Sequence, residues 1–324
     1  MSLEMRIGLG QFKELTEEKM LFIKQVGADD FLMNTPRLPG DARWEYEDLL
    51  ALRKRADRAK LRLTALENVP IPFYDKAMLG LPGRDVQIEN MKITIRNMGR
   101  AGIPILGYHW IPNSVWRTPD PPLLRGGAST TWFDYERQKK SPLTHGREFT
   151  AEEMWDNYHY YMERVLPVAE ECQVRLALHP DDPPVPALGG IARIFGSFEG
   201  FVRAMDTFDS PMHGLDFCMG CWSEMGGHEN VIKGIRHFGG RDKIVYVHFR
   251  DVQGRIPCFN ECFLGTGNVD PYDVMKALKD VGFKGFMIPD HVPHLVDDTN
   301  WNHRGRALAI GYMTAVLDMV NRAS

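Results

Sequence analysis

The chain has 324 residues, 44% hydrophobic and 25% charged, with a formal net charge of -4; it is long enough for a large core and ordinary for a soluble globular protein. That charge gives no electrostatic reason to expect nucleic acid or a membrane surface as partner, and without an apolar run of about 18 residues or a signal-peptide pattern a cytoplasmic location is expected. Five cysteines in a chain this long argue against a disulfide framework and for reduced thiols, and a four-cysteine zinc site built from Cys218, Cys221, Cys258 and Cys262 lacks the tight knuckle context of zinc ribbons.

In chain order, Met5 to Gly10 alternates as a strand, and Glu14 to Val26 carries Leu15, Phe22, Ile23 and Val26 at helical spacing before Gly27 ends it. Asp30 to Met33 reads as a second strand, Trp44 to Lys60 as a helix, and Leu61 to Glu67 as a third strand ending in Glu67-Asn68. Val86 to Arg100 is helical and Ile103 to Tyr108 is the fourth strand. Residues 109–148 follow, a Pro-, Gly-, Trp- and Arg-rich connection whose length inside a compact chain points to a lid-like insertion over a site. Thr150 caps a helix to about Glu171 that feeds the fifth strand, Val174 to His179, which stops at His179-Pro180-Asp181-Asp182-Pro183-Pro184 because prolines cannot continue a ladder. Ser197 caps the next helix, and His213 to Phe217, Ile244 to Phe249 and Gly285 to Pro289 are the sixth, seventh and eighth strands. The helices that follow them are read over Glu229 to Phe238, from Pro271 through Val274 to Val281, and over Trp301 to Arg322.

Eight short apolar strands alternating with helices, with no composition shift between them, predict an α/β fold, a (β/α)8 TIM barrel forming one domain over residues 1–324. A doubly wound open sheet is the alternative, but Gly8-x-Gly10 lacks the third glycine of a dinucleotide turn. In such a barrel the polar residues at the carboxyl ends of strands five to eight, His179, Cys218, His248 and Asp290, share the catalytic face. Two imidazoles, a thiolate and a carboxylate suit a divalent transition metal better than magnesium or calcium. One by one, each has a blander explanation as a core histidine, an inert thiol or a helix-capping aspartate.

Several stretches carry a resemblance: Glu67-Asn68-Val69-Pro70, Val115-Trp116-Arg117-Thr118, His179-Pro180-Asp181-Asp182-Pro183-Pro184, Gly214-Leu215-Asp216-Phe217-Cys218, His248-Phe249-Arg250-Asp251 and Pro289-Asp290-His291. On these the chain resembles the mannonate dehydratase family of the xylose-isomerase-like barrels. The resemblance implies that His179, Cys218, His248 and Asp290 bind Mn2+, with Fe2+, Co2+ or Zn2+ as alternatives. It implies a lyase that dehydrates D-mannonate to 2-keto-3-deoxy-D-gluconate. His291 is then the candidate proton-transfer residue, or alternatively a residue that only orients its neighbouring ligand. His109, Asn113, Arg117 and Arg250 are the candidates to hold the carboxylate and hydroxyls of a small-molecule sugar acid. The family's tyrosine near the start of the last helix has no evident counterpart in Asp298-Thr299-Asn300-Trp301-Asn302-His303-Arg304; Tyr312 lies deeper in the helix, so His303 is the candidate replacement. Two other readings stay open: a metal-dependent sugar isomerase or epimerase on the same barrel, and a sugar-acid-binding homologue without mannonate turnover. A homo-oligomer is left open.

Overall fold

The computed structural model describes residues 5–323. Eight parallel strands close into a barrel: β1 (Arg6–Leu9), β2 (Asp30–Asn34), β3 (Arg62–Glu67), β4 (Ile105–Tyr108), β5 (Arg175–Leu178), β6 (His213–Cys218), β7 (Ile244–His248) and β8 (Phe286–Ile288). Each strand pairs with its sequence neighbours, and β1 closes on β8 through Arg6 opposite Phe286 and Ile7 opposite Met287. The helices between them are α1 (Glu17–Gln25), α2 (Tyr46–Arg58), α3 (Arg84–Ala101), α4 (Ala151–Cys172), α5 (Phe198–Thr207), α6 (Met219–Gly234), α7 (Pro271–Asp280) and α8 (His303–Arg322).

Local chemistry sets several of these boundaries. Thr150 and Glu153 form a reciprocal capping box at the start of α4, Ser197 caps α5, and Pro271 opens α7 behind the cap Asp270. Gly227, at φ 75° and ψ -161°, is not helical and divides α6 at a kink: the segment after it matches the helix expected from Glu229, and the segment from Met219 before it is unexpected. Alternation along the strands separates two apolar layers: Leu32, Ala65, Ala177, Tyr246, Phe286 and Ile288 cluster together, while Leu63, Leu66, Leu176 and Leu178 join the larger core with the helices.

One feature above the barrel is absent from the sequence reading. The connection after β7 is a β-hairpin, Asp251–Arg255 paired with Cys258–Cys262, and the insertion after β4 contributes Trp132–Asp134 as a third antiparallel strand. Thr144 and Phe149 of the insertion also hydrogen-bond to the carbonyls of Gly189 and Gly190. The insertion is thereby tied to the connections after β5 and β7.

His213, fully buried at the start of β6, joins three elements. Its Nδ1 lies 3.1 Å from the Phe208 carbonyl and its Nε2 3.0 Å from Tyr108 Oη and 3.3 Å from Tyr158 Oη. Burial pushes its pKa down to about 4. The unfolded chain therefore binds a proton below its ordinary value while the fold resists one, so this contribution to stability is complete above about pH 6.5 and is lost as pH falls toward 4. Urea unfolding should show His213 costing the fold on the order of 3 kcal/mol across that window. His213→Gln should flatten that part of the pH profile; an unchanged profile would refute the assignment.

Candidate metal centre

β5, β6 and β7 end at the same height, so His179, Cys218 and His248 each offer a ligand atom within 4.8 Å of one another. Asp290, two residues past β8, brings Oδ2 to 3.6 Å from His248 Nδ1. The four expected ligands are gathered at the carboxyl-terminal mouth of the barrel.

Each donor is prepared by its surroundings. His179 Nδ1 lies 2.7 Å from the Pro180 carbonyl, so this nitrogen carries the proton and Nε2 keeps its lone pair. His248 Nε2 lies 2.7 Å from Glu67 Oε2, and its Nδ1 is buried without a hydrogen-bond partner. A buried unpaired ring nitrogen beside a thiol, a second imidazole and a carboxylate is a donor set that fits a transition-metal cation. Cys218 caps α6, where the first turn's free N–H groups favour negative charge. Burial opposes ionisation of its thiol, but contacts with Cys221, Arg250 and the two histidines outweigh it and lower its pKa well below the ordinary value. Burial likewise opposes charge on His179, yet Asp216 and the Cys218 sulfur raise its pKa to about 10. The field at this point favours positive charge, and a divalent transition ion fits the donor set.

Below His248 lies a polar floor. Glu67, at the end of β3, accepts hydrogen bonds from Asn34 Nδ2 at 2.9 Å and Gln11 Nε2 at 3.2 Å, and Tyr246 Oη stands 3.4 Å from it. Gly107 on β4 is required here, since a Cβ would collide with the Tyr246 hydroxyl.

Beside the ligands lies a buried ionic network. Arg250 is fully buried and reaches Glu224 at 2.8 Å, Glu261 at 2.8 Å, Asp182 at 3.1 Å, Asp290 at 3.1 Å and Cys221 Sγ at 3.1 Å. It passes over Gly220, where any Cβ would collide with the guanidinium. Against the expectation that Arg250 holds substrate, its Nη1 and Nη2 donate inside the protein, to Glu224, Glu261, Asp182 and Cys221, while its Nε stands 3.1 Å from Asp290 without a hydrogen bond. Arg117 forks onto Asp182 at 2.6 and 2.8 Å and reaches Glu261 at 3.1 Å, but it also lines the cleft above the site.

His291, the residue after Asp290, has its Nδ1 2.8 Å from Glu261 Oε1 and its Nε2 3.8 Å from Asp290 Oδ2, and its side chain is 41% exposed. Desolvation works against its protonation, but Asp290 and Glu261 outweigh it and raise its pKa. It borders a cleft of about 520 Å3 that includes Arg117, Thr130, Thr131, Asp290 and Arg306.

Three further expectations are resolved by position. His109 faces the site region: burial and the positive charge of His179 push its pKa down to about 3, and its Nδ1 accepts from the Ile111 amide at 3.2 Å. Asn113 is corrected to a pin for the insertion, because its Nδ2 donates to the Leu188 carbonyl at 2.9 Å and its Oδ1 accepts from Arg193. His303 is corrected as a catalytic candidate. Its ring packs against Phe22 and Trp301, with Nδ1 2.5 Å from Thr299 Oγ1 and Nε2 3.3 Å from Glu18, so it faces α1 and none of the gathered ligands. Tyr312 lines a smaller hollow of about 200 Å3 on another side of His291, with Phe249, Phe263 and Leu308. Reading the sequence missed Glu261, Asp182 and Glu67 as site carboxylates; Glu67 and Asp182 carried a signal, as acids at or just past strand ends, whereas Glu261 sits in the unforeseen hairpin.

The D-mannonate dehydratase (UxuA) family model matches residues 5–144 and 136–324. The mannonate dehydratase of Thermotoga maritima is 32% identical over 285 residues, covering 76% of this chain and 78% of that protein. Mannonate dehydratase 1 of Bacillus licheniformis is 29% identical over 343 residues, covering 93% and 91%. The crystal structure of mannonate dehydratase from Streptococcus suis serotype 2 superposes with a TM-score of 0.89 at 27% identity, covering 99% of this chain and 94% of that one. An L-ribulose 3-epimerase structure, at 16% identity and a TM-score of 0.62, shares the fold alone. With matches that run from the first barrel strand to the last helix and take in all four gathered side chains, the chain belongs to the mannonate dehydratase family of hydro-lyases, built on a (β/α)8 barrel.

Proposed function

We propose that this chain is a metal-dependent hydro-lyase that converts D-mannonate to 2-keto-3-deoxy-D-gluconate and water, with Mn2+ as the ion and Fe2+, Co2+ or Zn2+ as alternatives. The observation that carries the reading is the unpaired, buried Nδ1 of His248 among Cys218, His179 and Asp290. His179, Cys218, His248 and Asp290 would hold the ion. When bound, it would supply Lewis-acid stabilisation of the negative charge that gathers on the substrate carboxylate as the adjacent C2 proton leaves.

The C2 proton passes to a base, and the step that the chain's own groups are placed to assist is the departure of the C3 hydroxyl. Loss of the C2 proton and of the C3 hydroxyl leaves an enol, which becomes the 2-keto-3-deoxy acid when C3 gains a proton. The hydroxyl leaves as water only if it is given a proton. Glu261 fixes the Nδ1–H of His291, which leaves Nε2 directed to give its proton to the departing hydroxyl. Thr130, Thr131 and Arg117 supply polar partners for a polyhydroxy acid in the cleft. The thiolate donor and family membership weigh against the isomerase or epimerase reading.

Enzyme purified with Mn2+ should form a 2-keto-3-deoxy product from D-mannonate and lose that activity on chelation. His179→Ala and Cys218→Ala should each cut bound metal more than about tenfold; full metal content in both would refute the ligand set, and a ketose product in place of the keto acid would refute the lyase reading. His291→Asn should lower kcat roughly 100- to 10,000-fold with metal content retained. His303→Ala should leave kcat near that of the wild type, and the opposite pattern would move the acid from His291 to His303.

A further inference from the structure

We propose that Arg306, on the second turn of α8, is the binding residue for the substrate carboxylate. This rests on the sugar-acid reading of the cleft and names the charge that recognises it.

Arg306 is 6% exposed and lines the cleft with Asp290, His291 and Arg117. Its Nε donates to the Trp301 carbonyl at 2.9 Å, and its Nη1 to the carbonyls of Pro289 at 2.8 Å and Asp290 at 3.1 Å. Those three bonds fix the plane of the guanidinium. Nη2 makes no protein hydrogen bond, and it is not among the buried unpaired atoms, so it keeps access to the cleft. All of the partners are carbonyls, and none is an acid.

The contrast with the neighbouring arginines is what singles it out. Arg117 and Arg250 are each paired with two or more carboxylates, whereas Arg306 has no carboxylate oxygen within 4 Å among the described residues. A buried arginine whose hydrogen bonds all go to neutral carbonyls, with the Trp301 ring 4.9 Å from its guanidinium and Asp290 and Asp298 acting only from beyond ion-pair distance, leaves much of its positive charge to be met. In this place, beside a ligand residue and the candidate acid, an incoming carboxylate meets it. Arg306 suits that anion through one end: a plane held by three bonds, both N–H groups of Nη2 unspent, and a positive charge at neutral pH. The three carbonyl bonds hold that plane still before substrate arrives, so little order is lost on binding.

Paired ligands isolate the charge. D-mannonate and D-mannitol carry the same run of hydroxyls and differ in the carboxylate, as do D-gluconate and D-glucitol. Competition against turnover, or calorimetry on Mn2+-loaded enzyme, should show wild type binding each hexonate more tightly than its hexitol. Arg306→Met should raise the KM for D-mannonate roughly 10- to 100-fold and erase most of the hexonate preference, while leaving hexitol affinity and metal content unchanged. Arg306→Lys, which keeps the charge without the plane fixed by the three carbonyls, should recover part of the preference. Loss of hexonate and hexitol binding together, or loss of metal with the preference intact, would assign Arg306 to holding Asp290 and overturn the inference. Should Arg306→Met not fold, a lysine variant with wild-type KM and preference would equally overturn the requirement for the fixed guanidinium. A wild type that prefers hexonates but does not dehydrate D-mannonate would defeat the substrate reading and leave Arg306 standing.

Discussion

A guanidinium with no exposure to water, that of Arg250, sets the arrangement around the site. Burying it alone would be prohibitive, and burying Asp182, Glu224 and Glu261 without it equally so. The cluster exists only as a unit, and each member comes from a different connection: Asp182 after β5, Glu224 in α6, Glu261 in the hairpin after β7, Asp290 after β8. The arginine therefore locks four βα connections together at the end of the barrel where the metal donors lie. Its effect on chemistry is indirect: it orients one carboxyl of the donor set and lowers the pKa of the Cys218 thiol.

His248 shows how the barrel interior reaches that site. One ring nitrogen is held from below by Glu67, itself fixed by Asn34 and Gln11, and the other is left bare. A carboxylate behind a ligating imidazole selects its tautomer and raises its basicity. The polar floor is contributed by β1 to β3, which supply none of the four donors. Three of the eight strands thus act on the site by tuning a residue that belongs to β7.

The barrel strands and the convergence of His179, Cys218, His248 and Asp290 were legible because both rest on local signals: a short apolar run, then a polar residue where the pleat stops. The hairpin Asp251–Arg255 and Cys258–Cys262 was not, since its strands are largely polar and draw their pairing partner, Trp132–Asp134, from more than a hundred residues away. Glu261 was invisible for the same reason. Arg250 was visible as a neighbour of His248, but sequence adjacency carries no information on burial, and burial is what removes it from the substrate. His303 does begin the last helix as expected from its position; the side chain turns toward Phe22 and Glu18 because the apolar face of that first turn packs on α1.

Asp290 and His291 show why the hairpin matters to chemistry. They are consecutive, so when the chain leaves β8 their side chains diverge, Asp290 toward His248 and Arg250 and His291 toward the cleft. The proposed roles of these adjacent residues, one holding the ion and one giving a proton, require that something hold them apart, since an imidazole next to a carboxylate otherwise closes onto it. Glu261 provides the competing acceptor: it takes His291 Nδ1 at 2.8 Å while Nε2 stays 3.8 Å from Asp290. Arg117 and Arg250 hold Glu261 in turn. The ionic network thus separates two roles that the sequence places side by side, and the hairpin strand that carries Glu261 is as much a part of the site as the four strand ends.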